Sequence, residues 1–238
     1  MNKISTYIFV HDPQIILKND INKKFECLPN MKYVFLGMED TDKISGRADI
    51  IIARDLTYNI ELYPKFCSFT GWYALWKNNL IQSEYVHLFE YDIKLENNFN
   101  ERIENILAKK YDFIGYVPLS MQFAFLNQKY LANILPAIQK HYTVNMQEII
   151  YKTYNQNKNS QWSSTSNSTF YSETFIQYMN WFEKLIVDLK DNIMCGHAHE
   201  RSITFFYLLF NKKICLTNNL IKHSMLNSHS TGERKKKR

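Results

Sequence analysis

Four places in this 238-residue chain carry side chains that could do chemistry. Glu90-Tyr91-Asp92 closes the apolar run Tyr85–Phe89. If that run is a strand, its side chains alternate, and Val86, Leu88, Glu90 and Asp92 fall on one face. Two carboxylates at a strand end supply hard oxygen ligands. Mg2+ or Mn2+ binds through one or two carboxylates and shares its remaining positions with substrate phosphates. The same pair also reads as a polar strand end meeting solvent. The second place is Cys195-Gly-His197-Ala-His199, followed at once by Glu200 and Arg201. Thiolate and imidazole are zinc ligands, but a structural zinc site wants four ligands in a recognisable spacing, and no second cluster is present. The third is His11-Asp12 at the end of the first apolar run, where an Asp before Pro13 is also a common turn former. The fourth is Trp162, the one large aromatic in the polar run 155–168 (NQNKNSQWSSTSNS).

Positioning these groups requires strands that alternate with helices. Residues 5–11 (STYIFVH), 32–37 (KYVFLG) and 49–53 (DIIIA) are short β-branched and aromatic runs closed by turn formers or a glycine, and they read as strands. Residues 66–80 have helical spacing, with Phe69, Trp72, Tyr73, Trp76 and Leu80 on one stripe. A strand over 85–92 and a helix over 98–110 follow, with Asn98 or Asn100 as cap and Glu101 in the first turn. Residues 112–117 and 122–126 (QFAFL) read as strands, and 131–142 as a helix that Pro136 kinks. After the polar loop 155–168, Ser172 caps a long helix striped by Phe175, Met179, Phe182, Ile186 and Leu189. A last helix starts near Ala198, and 213–217 forms a final strand. The alternation predicts an α/β domain with a central, mostly parallel sheet flanked by helices. In such sheets ligands bind beyond the carboxyl ends of the strands.

Charge and composition exclude several classes. The chain is 45% apolar and 22% charged, which is globular rather than disordered. Its net charge is +6, but the last six residues hold five cations and one acid. Without them 24 basic and 22 acidic side chains remain, a net of +2, so the body lacks the broad basic face of a nucleic-acid binder. Four scattered cysteines, Cys27, Cys67, Cys195 and Cys215, read as reduced thiols of a cytoplasmic protein. The longest apolar stretch, 203–210, is far short of the ~20 residues of a membrane span. The basic end could touch anionic lipid or RNA, or simply fray into solvent.

Several of these pieces resemble, in type and order, the GT-A-fold glycosyltransferases, and most of all the capsule-type and large-DNA-virus enzymes that decorate surface polysaccharide or capsid glycans. Residues 66–78 (FCSFTGWYALWKN), 85–92 (YVHLFEYD) and 111–115 (YDFIG) look like the first half of that fold. Residues 162–167 (WSSTSN), 175–182 (FIQYMNWF), 196–201 (GHAHER) and 226–229 (LNSH) follow in the same order. The resemblance implies one GT-A (Rossmann-like) domain over 1–230 and a basic, disordered tail over 231–238. The family's metal motif is usually Asp-x-Asp, and here Glu90 stands first, which leaves Asp92 as the safer ligand.

The resemblance further implies an inverting, metal-dependent transferase (hexosyl or pentosyl) for glycan or polysaccharide synthesis in the cytoplasm. It would move a sugar from a nucleoside-diphosphate donor to an acceptor hydroxyl. Asp92, Glu90 and a late histidine, His229 in preference to His223, would hold Mn2+ or Mg2+. Glu200 would be the base for the acceptor proton, with Glu173 in reserve, and a helix start would keep Glu200 ionised. Arg201 would pair with a phosphate or a carboxylate. His11 and Asp12 would meet the base or ribose of the donor, Ser68 and Thr70 would face it from their helix, and Trp162 would stack on the acceptor or tip a lid. Two alternatives stay open: a nucleotidyltransferase, which normally adds a Gly-Ser entrance and a third acid not found here, and a non-enzymatic module that binds RNA or membrane through its tail.

Overall fold

The computed structural model describes residues 3–17, 19–37, 41–122, 131–191 and 195–223. Its centre is a seven-stranded sheet built from β1 (Ile4–Val10), β2 (Met31–Phe35), β3 (Ile50–Ile52), β4 (Tyr85–Glu90), β6 (Phe113–Gly115), β9 (Ser168–Tyr171) and β10 (Ile214–Leu216). The order across the sheet is β10-β6-β9-β4-β1-β2-β3. β1 runs parallel to both β2 and β4, with Ile8 opposite Tyr33 and Phe89. β2–β3 and β6–β10 are parallel too, while β9 is antiparallel to β4 and β6. The parallel strands therefore finish at one edge, and β9 starts there. Two small antiparallel pairs flank the sheet: β5 (Ile93–Leu95) with β11 (Ile221–His223), and β7 (Pro118–Ser120) with β8 (Gln161–Ser163).

Strand alternation sorts the buried side chains to two faces. Tyr7, Phe9, Val34, Val86 and Leu88 share one core with α3 (Phe69–Lys77), α5 (Ile134–Tyr142), α7 (Ser172–Leu189) and α8 (Cys195–Leu209). Ile4, Ile8, Val10, Tyr33, Phe35 and Phe89 share the other with α1 (Pro13–Leu17), α2 (Asn19–Phe25) and α4 (Phe99–Leu107). The predicted stripe of α7 is buried at Phe175, Met179, Phe182 and Leu189. Gly71 lets α3 lie on the sheet, because a Cβ there would stand 2.6 Å from the Phe9 ring. Among the described residues no helix is long and apolar enough to cross a membrane.

Some local expectations need correction. Met121 and Gln122 are helical rather than the start of a strand, and 123–126 lie outside the described residues. Pro136 is the third residue of α5. Its missing N–H falls where first-turn amides have no helical partner anyway, so it is accommodated there. The region after the polar helix α6 (Met146–Gln156) is no open loop: β8 and β9 both lie inside or at the end of 155–168. Asn98 occupies the cap position of α4 but makes no side-chain capping bond.

Two histidines are sealed in this core. His87 of β4 is fully buried, and its Nδ1 shares a 2.5 Å hydrogen bond with Thr169 Oγ1, which Tyr116 also contacts at 2.5 Å. His199 of α8 lies among aromatic rings, 4.5 Å from Phe69 and 4.7 Å from Trp72, and neither ring nitrogen finds a hydrogen-bond partner among the described residues. Burial pushes both imidazoles down to about 3. Because the folded value lies below the unfolded one, their contribution is complete above the unfolded value of about 6.5 and is lost as pH falls from there toward 3. Urea unfolding from pH 6.5 to 5 should therefore show stability falling by about 1.4 kcal/mol per pH unit for each ring. His199→Phe, which suits the aromatic cage, should remove about half of that slope. An unchanged slope would show that His199 is not buried neutral.

Candidate active site

The C-terminal edge of the sheet gathers the polar groups. β1 ends at Val10, and Asp12 Oδ1 then accepts the Gln14 N–H at 2.9 Å, so this carboxylate starts α1. His11 is exposed and presents its ring edge-on to Tyr91, 5.2 Å away. β4 stops at Glu90, and Tyr91-Asp92 is a turn into β5. The Tyr91 phenol is raised by burial and then by the charges of Asp92, Asp12 and Glu90.

Only Glu90 belongs to β4, so the strand argument for a shared face stops short of Asp92. Alternation holds only while the strand lasts, and it lasts to Glu90. Glu90 acts on Cys67 and on Glu200, which lie over the Val86–Leu88 face. Asp92 instead acts on Lys24 of α2, whose Nζ donates to the Tyr91 carbonyl at 2.6 Å. Glu90 is held from β9. Asn167, fully buried, accepts the Glu90 backbone N–H at 2.7 Å, and its Nδ2 lies 3.4 Å from Glu90 Oε2. The β4–β9 ladder ends at Leu88 opposite Ser168, so the Asn167 amide takes over where backbone pairing stops. Sequence reading passed over Asn167, because its value depends on an antiparallel strand that the sequence does not announce.

α3 and α8 bring the remaining groups. Cys67 precedes α3 with φ 53° and ψ −132°, a left-handed conformation costly for a residue with a Cβ. Its carbonyl accepts both the N–H of Thr70 and the Thr70 hydroxyl, the latter at 3.0 Å. Thr70 is thus turned inward, 1% exposed, and does not face the edge as expected. Ser68 is buried as well, and its hydroxyl finds no partner among the described residues. Gly196 lets α8 close on this turn, since a Cβ there would meet the Lys65 carbonyl at 3.1 Å and Cys67 Sγ at 3.3 Å.

Glu200 lies in the second turn of α8, not its first, which corrects the helix-start argument. Burial raises its carboxyl, and Glu90 adds to the rise. A 3.3 Å contact with His197 Nδ1, followed by the charge of Arg201, works the other way. Arg201 Nη1 lies 3.8 Å from Glu200 Oε2 and donates to the His197 carbonyl at 3.0 Å. Glu173, the reserve base, sits in the first turn of α7. Trp162 belongs to β8 and is 2% exposed, packed with Met121, Leu119, Tyr154 and Leu208. The Arg201 guanidinium stands over its ring at 4.8 Å. Trp162 therefore offers no open face to a sugar and tips no loop.

Among the described residues no three His, Cys, Asp or Glu side chains form a metal-binding group. His229 and the basic tail lie outside the described residues. The other histidine weighed, His223, pairs through its backbone with Ile93, the residue after Asp92. Glu90 and Asp92, at and just past the end of β4, are the donor type of a hard divalent ion that takes one or two acids and completes its shell from phosphate oxygens.

No family model and no curated protein sequence matches this chain. Its structure is similar to that of the WbbM bifunctional glycosyltransferase, with a TM-score of 0.59 and 16% identity, over 92% of this chain and 45% of that one. The chain thus spans less than half the length of that protein. A second solved structure is glucosyl-3-phosphoglycerate synthase from Mycobacterium tuberculosis in complex with Mn2+, UDP and glucosyl-3-phosphoglycerate. It covers 96% of this chain at 9% identity, with a TM-score of 0.42. The mostly parallel, helix-flanked sheet with one inverted strand is thus the Rossmann-like GT-A fold of glycosyltransferases.

The Asn167 linkage gives a direct prediction. Asn167→Ala leaves the Glu90 N–H without its acceptor in a buried place, which should cost about 1–3 kcal/mol. Urea denaturation measures it, and a loss below about 0.3 kcal/mol, well under the cost of a buried unpaired donor, would show that Asn167 does not hold Glu90.

Proposed function

We propose that this chain is a metal-dependent, inverting glycosyltransferase that moves a sugar from a nucleoside diphosphate to a hydroxyl of a glycan acceptor. The observation that carries the reading is that β1 and β4 run parallel and end together, so that Asp12, Glu90 and Asp92 all follow or close strands at the C-terminal edge of a GT-A sheet, where Glu90 also acts on Glu200 of α8. That edge is where open α/β sheets bind ligands.

In this reading Glu200 is the general base. Its carboxyl is raised toward neutrality by burial and by Glu90, which strengthens it as a proton acceptor. His197 and Arg201 hold it in place. The acceptor oxygen attacks the anomeric carbon from the side opposite the diphosphate. The new C–O bond forms as the bond to phosphate breaks, the hydroxyl proton passes to Glu200, and the diphosphate leaves with the bonding pair. Asp92, with Glu90 and His229, would hold Mn2+ or Mg2+, which when bound neutralises charge on the leaving diphosphate. His11, at the end of β1, and Asp12 border the place for the donor's base and ribose, and Ser68 lies beneath it. A cytoplasmic setting belongs to this reading, supported by the exposed free thiols Cys27 and Cys67.

A thermal-shift screen with UDP-glucose, UDP-galactose and GDP-mannose, each with and without Mn2+, tests it. A ligand that binds the folded state alone raises the melting temperature by mass action. One base class should stabilise the protein only when metal is present, and Asp92→Asn should remove most of that shift. Glu200→Gln should keep the shift yet lower transfer by about 10²–10⁴-fold. An equal shift in the Asp92 variant would remove Asp92 from the metal site. Undiminished transfer by the Glu200 variant would remove Glu200 as base.

A further inference from the structure

We infer that Trp162 is a positioning residue, acting through Arg201 on Glu200. The inference rests on the reading of Glu200 as base and assigns the aromatic ring a different task from sugar stacking. Arg201 keeps only 7% of its side chain exposed. A guanidinium withdrawn so far from water must be surrounded by groups that favour its charge. One is the Trp162 ring, 4.8 Å from Arg201 Cζ. A cation over an indole face is drawn to the negative face of the ring, and more strongly when water is excluded. Also among them are the His197 carbonyl at 3.0 Å and the Glu200 carboxylate at 3.8 Å, both reached by Nη1.

The geometry transmits position as well as charge. A guanidinium is a rigid planar fork, so fixing its carbon over a ring limits where its nitrogens can point. Trp162 is itself fixed, paired with Leu119 across the β7–β8 hairpin and packed on Met121, Tyr154 and Leu208. The hairpin thus holds the tryptophan, the tryptophan seats the arginine, and the arginine steadies the carboxylate. A base displaced by a fraction of an ångström loses its alignment with the acceptor hydroxyl.

A double-mutant cycle in the full chain tests this, read by release of UDP or GDP from UDP-glucose, UDP-galactose and GDP-mannose with Mn2+. Trp162→Leu should lower kcat about tenfold with donor KM within about twofold, the signature of an interaction made in the transition state. Trp162→Phe keeps a ring face and should stay within about threefold. Residues that act as one unit are non-additive, so in a Glu200→Gln background Trp162→Leu should cost less than about twofold. If Trp162→Leu fails to fold, Arg201→Lys, which lacks the planar fork, takes its place in the cycle. Losses that multiply in the Glu200→Gln background overturn the inference and leave Glu200 as base. Wild-type turnover by Glu200→Gln overturns the base assignment and the inference with it.

Discussion

Glu90 at the end of β4 and Glu200 on α8 approach one sheet edge, and the charge of the first disfavours ionisation of the second. Burial acts in the same direction, so the two carboxylates oppose each other's ionisation. Such an arrangement persists only if the surrounding structure fixes both carboxylates. On the Glu90 side the Asn167 amide binds the backbone N–H and approaches the carboxylate. On the Glu200 side His197 and Arg201 stand within reach, and Arg201 is braced on Trp162. β9, β8 and the start of α8 each contribute a residue that bears on this pair.

The packing explains why these elements can meet so closely. α8 buries its apolar length against α7 and the sheet, through Phe205, Phe206 and Tyr207, and leaves its polar first turns at the edge. Gly196 removes the Cβ that would strike the turn before α3. That turn holds Cys67 in a left-handed conformation, with its carbonyl tied to Thr70. Local strain at a site rimmed by acids is stabilised by a rigid aromatic core directly beneath it.

Much of this fold is legible in the residues. The β-branched runs at β1, β2, β3 and β4 fall where alternation and turn formers place them, and the aromatic stripes of α3 and α7 face the core. What escapes is set by long-range pairing. β9 is four residues long, follows a polar run, and becomes a strand only because β4 and β6 accept it between them. Trp162 looks stranded among serines and asparagines, yet it is buried beside Leu119, its partner on an antiparallel strand far upstream. Asp92 lies past the end of the strand that Glu90 closes, a boundary that alternation cannot locate. The helix-start argument for Glu200 fails by a single turn, as α8 begins at Cys195.

In the proposed reaction Asp92, with Glu90, holds a divalent ion against the diphosphate of an activated sugar, and Glu200 stands on the acceptor side. A crystal grown with Mn2+ and UDP, with data collected at the manganese edge, tests it most directly. The account predicts one anomalous peak between Asp92 and the two phosphates, at the edge where β1 and β4 end. Nucleotide bound elsewhere, with Asp92 and Glu90 both turned to solvent, would contradict it.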